Sequence, residues 1–120
     1  MGSGVTARCA CGVNVEMLVG SGMRNVGTLC LFPCLCPQCR RVASVNLLAD
    51  PPRCPECDAD SPIPYDDPSL CGRPGHRTVF EWRLTERRLG RELRLSNGTY
   101  RCPQCDGMTL QFETGWICWD

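Results

Sequence analysis

Three times along this chain two cysteines enclose a proline and one further residue: Cys36-Pro37-Gln38-Cys39, Cys54-Pro55-Glu56-Cys57 and Cys102-Pro103-Gln104-Cys105. A tighter pair, Cys9-Ala10-Cys11-Gly12, precedes them. Thiols this close together on a tight turn face one point, and they lie too close in sequence to staple distant segments. Each pair is half of a tetrahedral metal site, so the four pairs supply the sulfurs that two closed zinc sites need. No other feature constrains the fold as strongly.

The rest of the composition shows why a chain of this kind needs metal. It has 120 residues, and its 42% hydrophobic fraction counts all 12 cysteines. The remaining apolar residues are spread thinly, and a core so thin barely offsets chain entropy. A structural zinc site contributes about 10–16 kcal/mol of apparent binding free energy. A secreted disulfide scaffold is the other class with this much cysteine. Against it, Met1-Gly2-Ser3-Gly4-Val5-Thr6 lacks the basic and apolar regions of a secretory signal. The expectation is a metal protein in a reducing, cytoplasmic setting, with Met-Gly-Ser-Gly either native or an appended tag. No apolar run approaches the roughly 20 residues of a membrane span.

The expected fold is small and mostly β, made of zinc-ribbon modules with rubredoxin-like knuckles, short hairpins and long loops. Alternation marks strands at 13–17, 28–35, 42–47 and 78–84, the last with Phe80, Trp82 and Leu84 on one face. Asn97-Gly98 between alternating segments predicts a hairpin with a type I′ turn, running into the Cys102 knuckle. Thr85 to Arg91 is the one helical turn, 108–112 is a further strand, and Gly115 turns the chain back. Asp50-Pro51-Pro52 separates an N-terminal ribbon, 1–49, from a C-terminal one, 50–120, which can pack as one unit.

Two pairings of the knuckles are open. The preferred, sequential scheme puts Cys9, Cys11, Cys36 and Cys39 on one metal and Cys54, Cys57, Cys102 and Cys105 on the other. The rival joins Cys36/Cys39 to Cys54/Cys57 across 14 residues, leaving Cys9/Cys11 to reach Cys102/Cys105. With these motifs, and with Pro64-Tyr65-Asp66-Asp67-Pro68 and Tyr100-Arg101 before the last knuckle, the chain resembles the zinc-ribbon superfamily, in particular small bacterial double zinc-ribbon proteins of unassigned function. The resemblance implies binding without naming a partner. One departure is the residue after each knuckle, usually glycine and here Arg40, Asp58 or Asp106. Cys30, Cys34, Cys71 and Cys118 are expected as small buried hydrophobes; a third site built from them, with or without His76, and a disulfide or redox role are the alternatives.

No catalytic residue is expected. The single histidine, His76, sits in a loop, and deaminase, zincin, phosphate-loop and hydrolase motifs are all missing. The expected function is a non-catalytic zinc-binding module for a protein partner, with Trp116, Trp119 and Phe112 as aromatic anchors. Nucleic acid is the second reading, through Arg83, Arg87, Arg88, Arg91, Arg94 and Arg101 of the 77–101 stretch, with Trp82 and Tyr100 for stacking. A net charge of zero speaks against it. A rubredoxin-like iron carrier is the third, because iron accepts the same four thiolates. No small-molecule substrate and no membrane are expected.

Overall fold

Alternating burial begins at the very start of the chain, where Val5 and Ala7 are buried and Arg8 points outward. The computed structural model describes residues 2–21, 27–83 and 86–119, with side chains described for 3–21, 27–83 and 87–115. In chain order its strands are β1 (Gly2–Arg8), β2 (Asn14–Val19), β3 (Leu31–Cys36), β4 (Arg41–Asn46), β5 (Ile63–Pro64), β6 (Thr78–Trp82), β7 (Leu93–Ser96) and β8 (Gln111–Trp119). A 3₁₀ turn at Pro68–Leu70 and a single helical turn, α1 (Glu86–Leu89), complete the elements. The architecture is small and mostly β, as expected.

The strands form two three-stranded sheets, ordered β2-β1-β8 and β4-β3-β5, and a two-stranded ribbon, β6-β7. Gly2–Gly4 of the stretch that could be a tag therefore open the central strand of a sheet, antiparallel to both neighbours. Its Gly-Ser composition hid it, although Val5 and Ala7 alternate with Thr6 and Arg8. β8 crosses the position of the expected turn at Gly115 and continues to Trp119, with a register shift against β1 between Ser3 and Val5. There a Cβ on Gly115 would lie 2.9 Å from the Gly4 carbonyl carbon, so the glycine is needed for close approach rather than for a turn.

The predicted Asn-Gly hairpin is a second correction. β7 pairs with β6 and not with the residues after Gly98, and neither Asn97 nor Gly98 has the positive φ of a type I′ turn. The turn instead docks on the 73–77 loop. Thr99 N–H donates to Arg73 O at 2.9 Å, and Asn97 N–H donates to Arg77 O at 2.9 Å. Gly98 crosses that loop so closely that a Cβ on it would lie 2.0 Å from Arg73 O. Tyr100 bridges both Cys71 and Leu110. Trp82 and Phe80 do share a buried face, with stacked rings 6.2 Å apart; Leu84 lies outside the described residues.

The main core runs from β1 through β3 to β7 and β8. Its centre is an edge-on group of Tyr65, Tyr100 and Phe112, with ring centroids 5.1–5.8 Å apart. Each phenol has a partner. Tyr65 donates to Arg101 O at 2.8 Å, directly before the last knuckle, and Tyr100 accepts from Ser96 N–H at 2.9 Å. Residues from 1–49 and from 50–120 mix throughout this core, and β1 with β8 and β3 with β5 join the two stretches by backbone pairing.

Two measurements check this packing. Gly98→Ala should cost about 1–3 kcal/mol in denaturant unfolding, because backbone fills the space its methyl needs. Tyr65→Phe should lose about 1 kcal/mol with the fold retained. An unchanged midpoint in either variant would contradict the contact behind it.

Candidate metal centres

Antiparallel register decides which knuckles meet. β1 ends with Arg8 opposite Gln111 at the start of β8, so the Cys9–Cys11 turn after β1 lies beside the Cys102–Cys105 knuckle before β8. β3 ends on the Cys36 knuckle, and Leu35 lies opposite Ile63, which draws the preceding Cys54–Cys57 loop to the same end. The tetrads are accordingly Cys9, Cys11, Cys102 and Cys105 (site 1) and Cys36, Cys39, Cys54 and Cys57 (site 2). The preferred sequential pairing is thus overturned in favour of its rival. Both sites draw ligands from either side of residue 50.

Within each tetrad all four sulfurs lie within 4.8 Å of one another. Across the two turns of each tetrad, Cys9–Cys105 is 3.7 Å, Cys11–Cys102 3.5 Å, Cys36–Cys57 3.5 Å and Cys39–Cys54 3.8 Å. Disulfide sulfurs would be about 2.05 Å apart. A tetrahedron with Zn–S bonds of about 2.3 Å has edges of about 3.8 Å. The donor set and its spacing fit a four-coordinate metal, and each tetrad can hold one ion.

The knuckles are alike in backbone. Arg40 N–H donates to Cys36 O, Asp58 N–H to Cys54 O and Asp106 N–H to Cys102 O, at 2.8–3.0 Å. The three residues after the knuckles all adopt left-handed φ, 56° to 61°, without being glycine. In two of the turns backbone N–H groups favour the thiolate of the first cysteine: those of Cys39 and Gln38 at Cys36, and those of Cys105 and Gln104 at Cys102. Such bonds disperse the negative charge of a thiolate site.

The sites differ in their surroundings. In site 2 Cys36 and Cys54 are buried, whereas in site 1 only Cys102 is. Site 1 has an added donor, since Thr109 Oγ1 lies 3.1 Å from Cys9 Sγ and 3.7 Å from Cys105 Sγ. Arg41 and Glu56, 3.6 Å apart, link the two knuckles of site 2. Thr109 and the long-range partners of Arg40 carry no signal in sequence spacing, because they depend on how the knuckles stack.

Of the remaining cysteines, Cys30 packs in the main core, Cys34 in the smaller cluster beside Cys36 and Cys54, and Cys71 is half-buried. Burial pushes the Cys34 thiol well up. Among the described residues these form no third group, with or without His76; the Cys118 side chain lies outside them.

The arginines of the 77–101 stretch are mostly engaged. Arg83 pairs with Glu81 and Glu92, Arg91 with Asp66, and Arg101 with Asp106. Arg88 donates to Gly27 O and Arg94 to Thr78 Oγ1, while Arg87 is exposed. Trp82 and Tyr100 are 7% and 4% exposed, and Phe112 is core. Trp116 and Trp119 ride on β8, with side chains outside the described set.

Comparison with family models, with curated proteins and with solved structures finds no match for this chain. The four-sulfur geometry therefore carries the reading by itself.

The metal-free thiols are unequal. The Cys11 N–H, helped by Thr109, holds Cys9 down to about 6. Cys36 falls to about 7, since donors from Cys39, Gln38 and Cys57 outweigh its burial. Burial, with neighbouring sulfurs, pushes Cys39 and Cys102 up to about 12. Metal entry at pH 7 must displace the protons still bound, so affinity rises with pH. Calorimetry in buffers of different ionisation enthalpy should show proton release on zinc binding, and an affinity independent of pH would contradict thiolate ligation.

Proposed function

We propose that this chain is a non-catalytic double zinc-ribbon module whose two metals are structural and whose surface binds a protein partner. The observation that carries the proposal is closure of both tetrads. Four thiolates fill each tetrahedron and leave no position for water or substrate, whereas catalytic zinc keeps one open. His76, the one histidine, belongs to neither tetrad.

Protein is favoured over nucleic acid as partner by what happens to the residues that would bind nucleic acid. The two stacking candidates, Trp82 and Tyr100, are in the core, and most of the arginines satisfy groups of their own chain. Val15, Leu18 and Met108, by contrast, are large apolar side chains standing 36–41% exposed. No helix among the described residues is long and apolar enough to cross a membrane.

Elemental analysis should give two zinc per chain, and a strong chelator should abolish the far-ultraviolet β signal. A red protein with visible absorbance would replace zinc by iron, which accepts the same tetrahedron. Oligonucleotides, single-stranded or duplex, should not bind at low ionic strength. Binding that weakens steeply with added salt would reverse the order of partners.

A further inference from the structure

One side chain crosses from one metal centre to the other. Arg40 follows Cys39 directly, and its own N–H is bonded to Cys36 O at 2.9 Å, so site 2 fixes where it starts. Its backbone is left-handed, φ 56°. The guanidinium lands on the knuckle of site 1. Nε donates to Pro103 O at 3.1 Å, and Nη2 donates to Gln104 O at 3.3 Å and to Asp106 Oδ2 at 3.2 Å.

The two carbonyls it holds are chemically particular. Pro103 C=O shares a peptide plane with Gln104 N–H, and Gln104 C=O shares one with Cys105 N–H. Those two N–H groups are the ones that favour the Cys102 thiolate against its burial. In a trans peptide C=O and N–H point in opposite directions. A cation on the oxygen side therefore aims both N–H groups at the sulfur and polarises them toward it, in chains of guanidinium, peptide and thiolate.

We propose that Arg40 couples the two metal centres: anchored by site 2, it orients the peptides that stabilise the Cys102 thiolate, so each site holds its metal more tightly when the other is filled. Arg40 is a positioning residue and contributes no ligand atom. The coupling is reciprocal, because binding free energies are linked. This inference rests on reading both tetrads as metal sites.

The test uses the full chain loaded with two equivalents of zinc and follows metal release to a chromophoric chelator. Cys11→Ser, which opens site 1, identifies the phase belonging to site 2. Arg40→Ala should speed release from site 1 by about fivefold or more. Arg40→Lys, which offers a point charge in place of three aligned donors, should fall between. Arg83→Ala, whose pairs are Glu81 and Glu92, should match the parent. Opening site 2 with Cys57→Ser should speed site 1 by a similar factor, and adding Arg40→Ala to it should do little more. Site-1 release within twofold of the parent in Arg40→Ala, or full additivity with Cys57→Ser, would overturn the coupling. Should Cys57→Ser not fold, the cobalt-loaded Arg40→Ala protein decides, since an unchanged sulfur-to-cobalt absorption band with an unchanged rate would also overturn it. Fewer than two metals bound per parent chain would instead overturn the metal reading beneath it.

Discussion

A pair of cysteines on one turn can supply only half of a tetrahedron, and everything else in this structure depends on how the second half arrives. It arrives by strand register. Arg8 opposite Gln111 brings one pair of turns together, and Leu35 opposite Ile63 brings the other. Ligand pairing and strand pairing are thus a single constraint. A one-residue slip would turn Val5 and Ala7 out of the core and draw Cys9 away from Cys105 together. The metal geometry and the hydrophobic face select the same register.

The knuckles also show how a small protein tolerates local strain. Left-handed backbone at Arg40, Asp58 and Asp106 is costly for residues with a Cβ, and it persists only where surroundings hold it. Arginines hold the two aspartates, and Arg40 is held by its own contacts on the other knuckle. Arg40 and Arg101 share the Asp106 carboxylate, and Arg53 donates to Asp58 O at 3.2 Å. At Arg40 the strained position is also the start of the tie to the other knuckle. A glycine there would relieve the backbone and remove the bridge between the centres.

The acidic and basic stretches of the sequence meet in the same way. The bidentate contact of Arg91 with Asp66 joins one to the other, with the Asp66 side chain only 14% exposed. Next to it, Asp67 accepts from Ser69 N–H and starts the 3₁₀ turn, while Tyr65 enters the core. The Pro64–Pro68 motif is accounted for by these structural duties. Local chemistry was readable wherever a signal spans a few residues: the knuckles, the Phe80/Trp82 face and the β3-knuckle-β4 hairpin. It misled where a strong local preference lost to a distant partner. Asn97-Gly98 is a good hairpin turn, yet the 73–77 loop offers its backbone better-placed groups, and β7 finds β6 instead. The N-terminal strand was hidden because glycine and serine carry little β preference of their own, and β2 and β8 on either side supply the order.

By itself the sequence determined which cysteines could serve as ligands and the turn that presents each pair, because closely spaced thiols are a local fact, and a thin apolar complement already pointed to metal. It also determined that the chain would be built of short strands. Which pairs share a centre, that β1 lies between β2 and β8, and that Arg40 reaches the opposite knuckle were decided only by the tertiary structure. The spacing of Cys9 from Cys105 or of Arg40 from Pro103 says nothing of their contact, since closing a long loop costs little more than closing a short one. The choice between them falls to strand register and packing, which exist only once the chain is folded.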